Sequence, residues 1–314
     1  MISFGPVPSR RLGKSLGINN IISPKTCSYG CVYCQVGKTM KKSIKREAFF
    51  KPEIIFEKVR QHLCQLSKEN QPDYLTFVSN GEPILDLNLG KSISLLKKLG
   101  VPVAVITNAS LLFDESVRED LFKADWISLK MDAADKDTWQ KVNRPDPELD
   151  FKKHLDNVSL FSSLYKGMLC TETMIIKGLN DSVEIFSKLA ELIKTVNPYR
   201  AYLAIPIRPP SVKTAIPPET EIMNLAWQIF NKSGIKTEFL TGFEGNETGF
   251  TGNIYEDILN ITAVHPLRED SLTNLLKHDD ADYEVVKSLI KQRLIQVTVY
   301  NGKKFYLREY HLQI

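Results

Sequence analysis

The order of apolar patterns in this chain predicts an α/β fold: a partial (β/α)6-type TIM barrel over residues 1–262, then a small C-terminal winged-helix-like domain over residues 263–314. Three observations carry that expectation. Short β-rich runs alternate with longer amphipathic helical patterns, and repeated alternation of this kind requires parallel strands joined by right-handed crossovers. The polar motifs fall at the carboxyl ends of the strand runs, where such barrels bind ligands. After His265-Pro266 the pattern changes to helix, helix and hairpin.

In order along the chain, Phe4-Gly5-Pro6-Val7-Pro8-Ser9-Arg10-Arg11 opens it. Its prolines, with Gly13 and Gly17 nearby, read as an ordered, tightly packed segment rather than a loose basic arm. Strands are expected at 16–22, 74–79, 101–107, 126–130, 167–176, 199–205 and 236–240. Between them, the stretch 53–67 follows Pro52, 89–99 ends at Gly100, and 114–123 opens on an acidic cap. Further helices are expected at 150–165, 181–196 and 219–232. A glycine-rich link, Glu244-Gly245-Asn246-Glu247 to Thr251-Gly252-Asn253, leads to a helix near 254–259. Leu272, Leu275 and Leu276 then form one helical stripe, and Val285, Val286, Leu289 and Ile290 another. Residues 294–300 alternate as a strand, Asn301-Gly302 turns, and 303–308 returns. Lys303, Lys304 and Arg308 on that wing are candidates for phosphate contact.

The composition excludes several classes. A formal charge of +4 does not mark a strongly basic nucleic-acid binder. The N-terminus lacks the charged and apolar regions of a secretion signal, and the longest apolar runs are too short to cross a bilayer. Five cysteines suit a reducing cytoplasm. Cys64 reads as a core thiol on a helix, Cys170 lies on a strand, and neither is assigned to a metal.

The other three cysteines carry the chemistry. Cys27, Cys31 and Cys34 stand as C-x-x-x-C-x-x-C. Three thiolates so spaced can each hold one iron of a four-iron, four-sulfur (4Fe-4S) cube and leave the fourth iron open. A structural zinc site would want a fourth Cys or His close by, and the next are His62 and Cys64 on a helical stretch.

Five strand ends follow the same logic. Residues 74–79 run into Asn80-Gly81-Glu82-Pro83, and 103–107 into Asn108 and Ala109. Ser128, Lys130 and Asp132 alternate along one strand and share a face. Buried in a barrel lumen they require a ligand or one another, the simplest internal solution being a Lys130–Asp132 pair. Glu172 shares a strand face with Met174, ahead of Ile176 and the Gly178 turn, and Arg208 sits at the mouth in Ile205-Pro206-Ile207-Arg208-Pro209-Pro210. Glu172 and Arg208 are candidate substrate-binding residues, Arg208 suiting an anionic group.

Together, C-S-Y-G-C-V-Y-C with Tyr33 before the last cysteine, S-N-G-E-P at 79–83 and S-L-K-M-D at 128–132 resemble the radical S-adenosylmethionine (SAM) superfamily. With the F-G-P-V-P-S-R-R-L-G opening, R-P-P and H-P-L-R-E-D, nearly the whole chain resembles a prokaryotic group within it that is similar to the wyosine-base (tRNA 4-demethylwyosine) synthases. Those synthases are expected to hold a second cluster on three further cysteines, and none precedes Cys27, so the likeness implies a relative of them.

The resemblance implies that the open iron chelates SAM, that Tyr33 lies against the adenine, and that Gly81, Glu82 and Pro83 contact the methionine ammonium. It implies that Asn108 belongs to the same site, that Ser128, Lys130 and Asp132 hold the carboxylate and ribose, and that Ile176 forms an apolar wall for the base. It further implies an electron donor such as flavodoxin or ferredoxin, reductive cleavage of SAM, and hydrogen abstraction from a substrate; no residue is assigned as catalytic acid or base. Three functions follow: an enzyme acting on a tRNA base, an activase or modifier of a protein or peptide, or a non-catalytic iron-sulfur regulator with a winged-helix DNA-binding end.

Overall fold

The computed structural model describes residues 2–242, 245–246 and 248–309; Glu244 and Glu247 of the expected link lie outside them. The strands in chain order are β1 (Ser3–Ser9), β2 (Gly13–Ile18), β3 (Thr26–Cys27), β4 (Lys41–Lys42), β5 (Tyr74–Phe77), β6 (Val103–Thr107), β7 (Trp126–Lys130), β8 (Met168–Met174), β9 (Arg200–Ala204) and β10 (Thr237–Leu240). Near the C-terminus come β11 (Leu267–Arg268), β12 (Ile295–Tyr300) and β13 (Lys303–Arg308). The helices are α1 (Pro52–Gln65), α2 (Leu89–Leu96), α3 (Glu115–Leu121), α4 (Lys136–Val142), α5 (Phe151–Leu164), α6 (Val183–Val196) and α7 (Thr220–Lys232), then α8 (Ile254–Thr262), α9 (Glu269–His278) and α10 (Glu284–Lys291).

One eight-stranded sheet, in the order β1-β2-β5-β6-β7-β8-β9-β10, curls into a half-barrel. From β2 to β10 every neighbouring pair is parallel, joined by helical crossovers as the alternation predicts. The opening segment differs from expectation in being a strand. β1 pairs antiparallel with β2 at the sheet edge, and Arg10 and Arg11 lie in the connection. Gly17 is required beneath it, because a Cβ there would stand 2.0 Å from the Phe4 ring.

Side-chain alternation divides the sheet into two faces. Leu16, Ile18, Leu75, Phe77, Val103, Val105, Ile127 and Leu129 pack outward against the helices. Ala104, Trp126, Cys170, Tyr202, Ala204 and Leu240 point the other way and, with Leu12, plug the lumen. Water is thereby shut out from one end, and polar residues gather at the strands' carboxyl ends. Cys64 departs from its expected place: the buried face of α1 is set by Pro52, Ile55, Val59 and His62, and Cys64 falls outside it, exposed.

The C-terminal unit holds α9, α10 and a three-stranded sheet ordered β11-β13-β12. Asn301 and Gly302 both take positive φ, as the two-residue hairpin requires. Its core contains Leu272, Leu275, Val286, Leu289 and Tyr306, and is continuous with Ile258 and Ile261 of α8 and with Phe4 and Val7 of β1. The tail therefore packs directly on the barrel edge.

Candidate cluster and cofactor site

The three cysteines lie on one short span that opens from β3. The turn after α4 holds this span in place. Gly30 N donates to the Asn143 and Arg144 carbonyls at 3.0 Å each, Val32 N to the Val142 carbonyl at 3.0 Å, and Asp146 N to the Ser28 carbonyl at 2.8 Å. Behind it Trp139 Nε1 donates to Tyr29 Oη at 3.1 Å, and His154 stacks on Trp139. All three thiols are free.

Donors converge on the sulfurs. Lys25 Nζ lies 2.9 Å from Cys34 Sγ, Asn143 Nδ2 3.5 Å from Cys31 Sγ, and Asn108 Nδ2 3.7 Å from Cys27 Sγ. Burial pushes the Cys27 thiol far up and the Cys31 thiol to about 12. Burial also opposes ionisation of Cys34, but the Lys25 ammonium overrides it and brings that thiol below its ordinary value. Bound iron would deprotonate such thiols outright.

The donor set fits an iron-sulfur cluster: three soft ligands, hydrogen bonds to sulfur and a neighbouring cation that favours thiolate. Among the described residues no three His, Cys, Asp or Glu side chains are grouped to hold a single metal ion. Ligands that each take a different iron of a cube need not crowd round one point, whereas zinc ligands must.

A cavity of about 270 Å³ opens in front of the cysteines. It gathers Cys27, Cys31, Cys34 and Tyr33 with Gly81, Glu82 and Asn108 from the ends of β5 and β6, and Lys130, Glu172 and Arg208 from β7, β8 and the segment after β9. Gly81 links the parts. Its φ is +140°, and a Cβ would meet the Thr26 carbonyl oxygen at 1.8 Å. Glu82 N donates to that same carbonyl at 3.1 Å, so the Asn80–Pro83 turn is bound to the residue before Cys27. Asn80 takes no positive φ, so its side chain adds no backbone strain beside Gly81, whereas Ala109 takes a φ of 61°.

Glu82 is 3% exposed and burial lifts its carboxyl to about 7, against hydrogen bonds from Thr107 Oγ1, the Asn108 amide and the Ile84 amide. A carboxylate so desolvated favours a cationic partner. Glu172 is equally buried and already has its cations, accepting from Arg11 on one oxygen and Lys130 on the other. Burial pushes the Glu172 carboxyl up, yet Arg11 and then Lys130 outweigh it and hold the group below its usual range.

Among the described residues the cavity walls do not include Pro83, Ser128, Asp132 or Ile176. Pro83 is buried at the start of a short helical turn. Ser128 is wholly buried, its hydroxyl without a partner. Ile176 packs with Val32, Val142 and Ala215 behind Tyr33, and Met174 takes the wall position. Asp132 accepts from Tyr33 Oη, from Asn143 Nδ2 at 2.6 Å and from the Met174 amide at 2.8 Å. It orients the cysteine loop, and Lys130 pairs with Glu172 instead of with it. Sequence reasoning missed Lys25, Asn143 and the role of Arg11. Lys25 stands two residues before Cys27, a detectable signal; Asn143 reaches Cys31 across 112 positions and leaves none.

Comparison with known proteins adds the family. The Radical SAM superfamily model matches residues 21–190. A UPF0026 protein of Methanocaldococcus jannaschii is 45% identical over 309 residues, covering 98% of this chain and 96% of that protein. SuiB of Streptococcus suis, solved bound to the precursor peptide SuiA, has a TM-score of 0.54 at 14% identity, over 72% of this chain and 48% of that one. A structure of TYW1 with a lysine-pyruvate adduct gives 0.49 at 15% identity, over 95% and 82%.

Proposed function

The chain belongs to the radical SAM superfamily and is an enzyme, and we propose that it holds a 4Fe-4S cluster on Cys27, Cys31 and Cys34, cleaves SAM reductively and abstracts a hydrogen atom from its substrate. The observation that carries this reading is the convergence of the three thiols and the β5, β6 and β7 strand ends on one cavity. When bound, cluster and SAM supply the electron transfer and the carbon-sulfur cleavage that generates the 5′-deoxyadenosyl radical. The chain's own part is binding and orientation. Glu82, kept desolvated, would receive the methionine ammonium, with Gly81 and Asn108 beside it. Tyr33, fixed by Asp132, would hold the adenine. Lys130, tied to Glu172, would hold the SAM carboxylate and ribose. Ser128, Asp132, Pro83 and Ile176 act from behind these residues.

The C-terminal unit is proposed as a winged helix whose hairpin is the wing, dividing the chain near residue 262. The substrate is proposed to enter past Arg208 and to be a nucleic-acid base, served by the basic hairpin. A peptide substrate is the second reading, favoured by the fold shared with SuiB, which was solved with a peptide bound. The reductant is of flavodoxin or ferredoxin type, and a reducing cytoplasm keeps the thiols competent. The described residues contain no helix long and apolar enough to cross a membrane.

The test is anaerobic reconstitution with iron and sulfide, then reduction with dithionite in the presence of SAM. 5′-Deoxyadenosine is expected. Full iron loading without that product would overturn the proposal.

A further inference from the structure

Lys25 is only 6% exposed, yet among the described residues no carboxylate pairs with it. Its ammonium donates to the Cys34 sulfur at 2.9 Å and to the Gly37 carbonyl at 2.6 Å. Other buried cations of this fold are matched by acids: Lys130 and Arg11 have Glu172, and Arg46 has Asp120. A buried ammonium with no anion beside it is strongly unfavourable. The groups that can become anionic next to Lys25 are the cysteines.

The chain holds this cation in place on both sides. Met40 N and Lys41 N donate to the Lys25 carbonyl at 3.1 and 3.0 Å, and Gly37 N donates to the Cys34 carbonyl at 3.1 Å, closing the turn whose sulfur and carbonyl receive Nζ. Among the described residues the walls of the cysteine cavity include Cys34 but not Lys25. Lys25 lines a different cavity, with Ser23, Pro24, Gly37 and Lys38. It therefore meets the cluster site through the Cys34 sulfur and not through the space open to SAM. The amide donors to the other two sulfurs, Asn143 and Asn108, are neutral and stand farther off, at 3.5 and 3.7 Å.

A four-iron cluster on three thiolates carries one net negative charge when oxidised and a second after it takes up one electron. A fixed cation at one of the sulfurs stabilises the reduced state more than the oxidised one. We propose that Lys25 is a positioning residue acting through Cys34: a built-in counter-ion that raises the reduction potential of the cluster and so favours uptake of the electron that SAM cleavage consumes. The inference rests on the cluster assigned to Cys27, Cys31 and Cys34 and concerns how readily that cluster is reduced.

The test is a potentiometric titration of the whole reconstituted chain without SAM. Dithionite supplies the electron through mediators, and the paramagnetic reduced state is followed by electron paramagnetic resonance. Lys25→Met and Lys25→Gln remove the charge, and Lys25→Arg keeps it. Loss of a charged hydrogen bond is expected to weaken reduction by about tenfold, a shift of about 59 mV to lower potential for one electron. Both neutral variants should show that fall, and Lys25→Arg should stay near the wild type. Iron uptake by Lys25→Arg but by neither neutral variant would equally support a counter-ion role, since charge is then what loading requires. Wild-type potentials in the neutral variants, an arginine variant that falls as far as methionine, or loss of iron in all three would each refute it. Wild-type protein that takes up iron and sulfide without forming a four-iron cluster would instead refute the assignment on which the inference rests.

Discussion

Replacing Gly81 by alanine tests the link between the cluster loop and the cofactor turn. The new Cβ would sit 1.8 Å from the Thr26 carbonyl oxygen, a backbone atom, where ordinary contact begins at 3.4 Å. No side chain can swing aside, so the Asn80–Pro83 turn and the Thr26–Cys27 strand must separate by about 1.6 Å, the difference between those two distances. The hydrogen bond from Glu82 N to Thr26 lies in that gap and would break. At φ +140° an alanine also adds backbone strain of about 1–3 kcal/mol. Displacing catalytic geometry by an ångström costs about 100-fold in rate. SAM cleavage by Gly81→Ala should therefore fall by about 100-fold or more, with reduced SAM affinity and a lower melting temperature. Product formation is followed as 5′-deoxyadenosine, with iron content measured on the same sample. Wild-type iron, SAM affinity and rate together would show that turn and cluster strand are not coupled as described.

Serine at Cys27, Cys31 or Cys34 should each remove bound iron and all SAM cleavage, read by metal analysis after anaerobic reconstitution. Glu172→Gln should destabilise the fold by about 3 kcal/mol, measured by denaturant unfolding, because it leaves Arg11 and Lys130 charged and largely buried without their shared partner. The Glu172 carboxyl lies below its ordinary value, so its stabilisation is complete at neutral pH and fades as pH falls through the folded-state value; an acid limb unchanged by Glu172→Gln would contradict this. Glu82 works the other way. Its folded-state value is raised from 4.5 to about 7, so without SAM the protein should lose up to about 3 kcal/mol as pH rises across that window. Glu82→Gln should flatten the profile, and an identical slope would count against the burial of this carboxylate.

The alternation of runs is a local signal, and it led to the parallel strands and their helical crossovers. The antiparallel β1 was harder to read because prolines and glycines interrupt its pattern, and only its partner strand and the Phe4–Gly17 contact make it a strand. α4 was missed for a related reason: it is only seven residues long, and its burial is against the cysteine loop. Cys64 was misplaced because Leu63 and Leu66 beside it suggested burial, while the helix turns its face elsewhere.

What the sequence determined by itself is the chemistry on offer: three thiols with no near fourth ligand, a carboxylate after Gly81, and lysine and carboxylates at strand ends. These follow from residue type and short spacing, which the chain carries wherever it folds. The tertiary structure decided who pairs with whom. It gave Lys130 to Glu172 rather than to Asp132, brought Arg11 across 161 positions to the same carboxylate, and set Asn143 against Cys31. Such pairings depend on sheet order and on which groups lose their water together, and neither is expressed in the spacing of residues along a strand.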